Sequence, residues 1–150
     1  MSFSLEAFLP YRLTRLAEAV SLHVRPVYKE AFGLNRPEWR VLAALADLGE
    51  ATATEIGRHS TQHKTKVSRA IHALEQRRWL VRRTDPSDRR HEILRLTEPG
   101  KRGFAALIAP MRVRETAIFE KLSLEERRAL DVALSGLERA MDMDGAREDF

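Results

Sequence analysis

Between Val81 and Thr97 the chain runs VRRTDPSDRRHEILRLT. Arg82 with Arg83, and Arg89 with Arg90, flank an acid-and-proline turn, Asp85-Pro86-Ser87-Asp88. Like charges this close repel one another, so their concentration suits a surface meant to face a polyanion. A competing use is protection of an exposed strand edge, which does not require four arginines. Asp88 is placed to pair with Arg90 across the turn and hold its guanidinium in one orientation, a probe for a narrow, electronegative minor groove. Such a surface pair adds only about 0–1 kcal/mol of stability, so orientation is the better reason for it.

Other chemistries find less support. His59 and His63 stand four apart and, with His72 and His91, invite a metal reading. They straddle a helix junction, no carboxylate accompanies them at ligand spacing, and the expectation is no metal. There is no HExxH, no glycine-rich phosphate loop and no GxSxG elbow, so neither an enzyme nor a cofactor is expected. The absence of cysteine excludes a disulfide scaffold, a thiolate zinc site and a thiol redox sensor.

The elements that must position the arginines follow from periodicity. After a Ser60-Thr61 cap, QHKTKVSRAIHALEQRRW sets Val67, Ala70, Ile71 and Leu74 on one helix face. Gln62, Lys64, Thr65, Ser68, Arg69 and His72 then point away, donors suited to phosphates and base edges. An ordinary solvated face is the alternative. It loses weight because Lys64, Lys66 and Arg69 crowd the first turns, where the helix dipole disfavours cations unless an anion faces them. Thr52-Ala53-Thr54-Glu55 is a capping box for a short preceding helix, TATEIGRH, completing a helix-turn-helix pattern. Leu80 to Asp85 and Glu92 to Thr97 form a two-stranded hairpin with a basic tip.

Around this centre lie longer helices. Residues 5 to 32 carry Leu9, Leu13, Leu16, Val20, Val24, Val27 and Ala31 as one apolar stripe, with a kink expected at Pro26. A helix this long exceeds what a 150-residue monomer covers, which implies a partner surface. Asn35 with Glu38 caps a helix that Gly49 stops. A long helix opens near Thr97-Glu98-Pro99-Gly100, with a bend expected at Pro110, and Ser123-Leu124-Glu125-Glu126 caps the last, striped by Leu130, Leu134, Leu137 and Met141. The length suits one domain. No apolar run is long enough to span a membrane and the N-terminus is unlike a signal peptide, so no membrane partner and a cytoplasmic location are expected. From Arg58 to Arg102 thirteen Lys and Arg stand against five acids, +8 within a chain whose net charge is +4, leaving −4 elsewhere. A basic centre between acidic flanks is the footprint of a polyanion-binding surface on a scaffold that must not itself adhere.

The segments NRPEWRVLAAL, TATEIGRH, KTKVSRAIHALEQRRWLVR, DPSDRRHEILRLTEPGKR and LSLEERRAL, taken in order, resemble the MarR family of bacterial transcriptional regulators, which are dimeric winged helix-turn-helix proteins. The most specific element is the wing pattern of Asp88, Arg90, Leu96 and Thr97. The resemblance implies a mainly α fold with a small two-stranded β wing. It also implies a single domain over 1–150, with dimerisation helices at about 1–34 and 100–150 and a winged helix-turn-helix lobe at about 35–99. Implied partners are double-stranded DNA, contacted by Thr52, Thr54, Gln62, His63, Lys64, Thr65, Lys66, Ser68, Arg69, Asp88, Arg89 and Arg90, and a second copy of the chain. The implied function is a repressor on a pseudo-palindromic operator, released by a small aromatic acid or thioester. Arg15, His23 and Arg40 are polar residues near apolar faces and Trp39; with Tyr11 they are the candidate ligand site, a guanidinium and an imidazole beside an indole being suited to an aromatic carboxylate. The alternative for His23 and Trp39 is plain core or dimer contact. The alternative for the whole is a winged-helix protein-interaction module without specific DNA binding.

Overall fold

The computed structural model describes residues 3–143. In chain order the elements are α1 (Leu9–Phe32), α2 (Arg36–Leu48), β1 (Glu50–Ala51), α3 (Ala53–His59), α4 (Lys64–Gln76), β2 (Leu80–Thr84), β3 (Glu92–Leu96), α5 (Glu98–Phe119) and α6 (Leu124–Ala140). They form two compact units, Met1–Arg112 and Val113–Phe150.

Local chemistry sets the helix ends. Asn35, Thr52 and Ser123 each accept from the backbone N–H three residues on, while the glutamate at that position reaches back to the cap's own N–H. Each box satisfies two of the donors a helix start leaves open. Gly33 and Gly49, at φ 64° and 76°, end α1 and α2 in the left-handed region where a β-carbon is costly. The cap expected at Ser60-Thr61 is displaced. Ser60 closes α3, Thr61 turns the chain at φ 51°, and α4 begins only after His63, whose Nδ1 faces the Thr65 N–H at 3.5 Å. The α4 C-terminus ends with Arg78 at φ 58°; the Trp79 N–H returns to the Leu74 carbonyl and the Arg78 N–H to that of Glu75. That is the double hydrogen bond of a glycine-type stop, made here by an arginine. α1 runs unbroken through Pro26, and α5 through Pro110.

The sheet has three strands, a correction to the two-stranded wing. Its order is β1-β3-β2, antiparallel throughout, with Leu80 opposite Leu96, Thr84 opposite Glu92, and Ala51 opposite Leu94. β1 is too short to leave a periodic trace in the sequence. The core of the first unit joins Tyr28, Leu42, Leu45, Ile56, Ile71, Leu74, Leu80, Leu94 and Leu107, all at most 1% exposed. Full burial of each such side chain stabilises by about 1.5–3 kcal/mol. Glu18 of α1 takes both guanidinium N–H groups of Arg36 at 2.6 and 2.8 Å, and this hydrogen bond holds its carboxyl below the ordinary carboxylate range.

The hairpin base is closed by Thr97. Its N–H donates to the Trp79 carbonyl at 3.0 Å, its Oγ1 donates to the Arg78 carbonyl at 2.7 Å, and that oxygen also accepts the Gly100 N–H at 3.2 Å. A β-carbon at Gly100 would overlap the Trp79 carbonyl, and one at Gly103 would lie 2.6 Å from the indole. Glycine at both positions lets the start of α5 rest on Trp79, whose ring meets Phe32 edge-on at 5.0 Å. Gly100→Ala and Gly103→Ala are each expected to lose about 1–3 kcal/mol in urea denaturation, the usual cost of overpacking. Wild-type stability in both would show that α5 does not seat there.

Candidate nucleic-acid interface

α3 and α4 pack on one another and on α2. Gly57 permits the tight turn between them, since a β-carbon there would sit 3.3 Å from the Gln62 carbonyl. Val67, Ala70, Ile71 and Leu74 bury the inner face of α4. Lys64, Thr65, Lys66, Ser68, Arg69 and His72 are exposed. The first turn of α4 carries no acid to offset Lys64 and Lys66. A hollow of about 390 Å³ opens between α3, α4 and β2, lined by Thr54, Gly57, Gln62, Lys64, Ser68 and Arg82 among others.

The sequence-derived contact residues differ in how far they are already engaged. Thr52 donates to Glu55 and accepts its N–H, so its hydroxyl serves the cap. Gln62 lies before α4, half-buried, and donates to the Ser60 hydroxyl at 3.0 Å. His63 also precedes the helix. Thr54 is exposed on α3.

In the hairpin the arginines divide. Arg82 gives two N–H groups to Glu75 of α4, at 2.8 and 3.0 Å, and a third to Glu92 of β3 at 2.9 Å. Arg83 reaches past β3 to Glu50 at 2.7 Å. Both β2 arginines are thus neutralised within the fold, whereas Arg95 on β3 is exposed with no ion pair among the described residues. Arg89 and Arg90 are exposed at the tip, with no ion pair among the described residues. The expected Asp88–Arg90 side-chain pair is replaced by a backbone contact. The Asp88 carboxylate accepts the Arg90 backbone N–H at 3.0 Å, just as Asp85 accepts the N–H and hydroxyl of Ser87 at 2.8 and 2.6 Å. Each acid builds a turn that mimics a backbone turn, and Asp85 is held below its ordinary range by Ser87.

The candidate ligand residues fall into separate groups. Arg15 lies over the Tyr11 ring at 5.8 Å, and both line a hollow of about 320 Å³ with Glu6, Arg12, Leu16 and Ala19. His23, Trp39 and Arg40 do not line it. Trp39 is stacked between Tyr28, at 5.8 Å, and Phe104, at 5.9 Å. His59 Nε2 pairs with Asp47 at 2.9 Å, and no group of three or more metal-ligating side chains occurs among the described residues.

Sequence reasoning passed over two features. Arg82, counted with the basic cluster, joins the wing to α4 through Glu75 and Glu92, partners that nothing adjacent in the sequence marks. Arg58 and His91 line a cleft of about 770 Å³ between α3 and the hairpin tip; each was visible as a basic residue, but the juxtaposition was not.

A helix pair set between the first strand and the closing hairpin of a three-stranded sheet, with the hairpin beside the second helix, defines a winged helix-turn-helix fold. Residues 32–91, the helix-turn-helix and the hairpin tip, match the model of the MarR family. The chain is 28% identical over 100 residues to the HTH-type transcriptional regulator YwoH of Bacillus subtilis strain 168, covering 67% of this chain and 72% of that protein. Its fold is shared with a MarR/EmrR family transcriptional regulator from Acinetobacter sp. ADP1, at TM-score 0.78 and 22% identity over 94% of this chain and 99% of the other. It is shared too with CouR from Rhodococcus jostii RHA1 bound to p-coumaroyl-CoA, at TM-score 0.73 and 22% identity over 91% and 95%. The chain is thus similar to the MarR family over residues 32–91 and shares the fold of solved winged-helix structures over most of its length. No helix among the described residues is long and apolar enough to cross a membrane.

If Arg82 is the tie between wing and α4, Arg82→Ala should speed amide hydrogen exchange in β2 and β3 by up to about fivefold, the scale of a partly exposed ion pair. Arg89→Ala should leave it unchanged. Equal effects would contradict the division of roles.

Proposed function

We propose that this chain is a transcriptional regulator of the MarR family that binds pseudo-palindromic double-stranded DNA as a homodimer, acts as a repressor, and is released by a small aromatic or anionic effector. The observation that carries the DNA reading is the sorting of cations. Arg82 and Arg83 on β2 are paired with glutamates, whereas Lys64, Lys66 and Arg69 on α4, Arg89 and Arg90 at the tip and Arg95 on β3 are exposed with no ion pair among the described residues. A helix of this kind fits the major groove and a basic tip the adjoining minor groove. On this reading about 35–99 forms the DNA-binding lobe, and about 1–34 and 100–150 form the dimerisation helices.

Uncovered apolar surface supports the homodimer. Leu9, Leu13, Leu16 and Val20 of α1 are between 40% and 57% exposed on one stripe. In the second unit, Leu124, Leu130 and Leu134 are exposed on α6, none of whose residues is buried. Apolar faces this long mark interaction surfaces. A two-fold dimer would set two α4 helices about 34 Å apart, one turn of DNA.

Two observations favour an effector. The Tyr28 ring stacks on Trp39 and its buried hydroxyl lies beside Arg36, with no partner at full hydrogen-bond geometry among the described residues, so a ligand could complete its bonding. Arg15 beside Tyr11 offers a guanidinium and a ring to an aromatic carboxylate or thioester. The aromatic thioester in the CouR structure belongs to this chemical class.

Arg90→Ala should weaken binding to a selected operator and flatten the dependence of log K on log salt by about 0.9, one phosphate contact. Sedimentation should still show a dimer. Unchanged binding would sink the wing contact, and weak, sequence-blind binding by the wild type would favour a protein-interaction module.

A further inference from the structure

The cleft between α3 and the hairpin tip holds an unusual mixture of charges. Arg58 stands on one wall, Arg89, Arg90 and His91 on the other, and the acids Glu55 and Glu92 complete it. Three guanidinium groups against two carboxylates leave a net charge of +1 when the imidazole is neutral. Protonating His91 makes that +2. No other single ionisation near neutral pH changes the charge of this cleft, because histidine alone among these side chain types ordinarily titrates between pH 5 and 8.

We propose that this cleft seats the DNA phosphodiester backbone, and that His91 makes the contact proton-dependent, so that affinity rises as pH falls through the imidazole range. The proposal rests on the DNA-binding reading above and deepens it.

The geometry favours the backbone over a base. The cleft, about 770 Å³, lies beside the tip expected to enter a minor groove, and phosphate lines such a groove on both sides. The two cleft acids are engaged already: Glu55 by the N–H and hydroxyl of Thr52, Glu92 by Arg82. The His91 backbone is fixed too, its N–H donating to the Asp88 carbonyl at 3.0 Å and its carbonyl accepting from Asp85 at 2.9 Å. An exposed ring is therefore carried on an anchored backbone. The charged groups around it are Asp85, Asp88, Arg89, Arg90 and Glu92 on the hairpin and Glu55 and Arg58 on α3. A phosphate entering among them favours the imidazolium, so binding should take up a proton.

The test measures affinity for a duplex recovered by selection with the wild-type protein, at about pH 8 and about pH 5.5 and constant ionic strength. From the higher to the lower pH, His91→Gln should gain about three- to fivefold less affinity than wild type does, the range of one surface ion pair. His91→Lys should bind as tightly at the higher pH as wild type does at the lower. The readout is the wild-type response minus that of His91→Gln. Calorimetry in buffers of different ionisation heat should show proton uptake by wild type that His91→Gln reduces. An identical pH response in wild type and His91→Gln overturns the proposal while leaving DNA binding standing. Absence of binding to any duplex at either pH overturns the DNA reading beneath it.

Discussion

The closed base of the hairpin is the constraint on which the rest depends. Thr97 grips the carbonyl groups of Arg78 and Trp79, and with Gly100 it starts α5 directly against the turn that ends α4. One side chain thereby fixes the end of α4, the register of β2 on β3 and the departure of α5. A two-stranded ribbon is marginal by itself. Here it is stabilised at its root by Leu80 facing Leu96 in the core, and on its flank by β1.

The charge distribution makes sense once the base is fixed. On β2, two arginines serve the fold: Arg82 links α4 to both wing strands, and Arg83 links β2 to β1. Toward the tip, where no core lies beneath, the acids shape the turn and the arginines are left exposed. The cost is electrostatic repulsion within the free protein, and a polyanion relieves it. Paired and unpaired arginines thus stand a few residues apart on one hairpin.

Much of this was legible in the chain. The capping boxes at Asn35, Thr52 and Ser123 are reciprocal local contacts, so their spelling alone predicts them. The buried face of α4 followed from spacing, and the hairpin from turn chemistry flanked by β-compatible residues. What escaped was set by distant partners. Ser60 and Thr61 spell a helix cap, but Thr61 enters a left-handed turn and the cap falls to His63. Asp88 and Arg90 have the types of an ion pair, yet the nearer backbone N–H wins the carboxylate. Glu75 and Glu92 lie seven and ten residues from Arg82, and nothing local marks them as its partners. The roles of Gly100 and Gly103 required knowing that Trp79 lies beneath them.

The central claim is that α4 and the hairpin tip act together on a two-fold DNA site. Hydroxyl-radical footprinting on genomic fragments retained by the protein tests it most directly. The account predicts an inverted repeat with half-site centres about 10 base pairs apart, protected on one face, and with further protection of the flanking minor grooves. Uniform protection with no shared sequence among the fragments would contradict it.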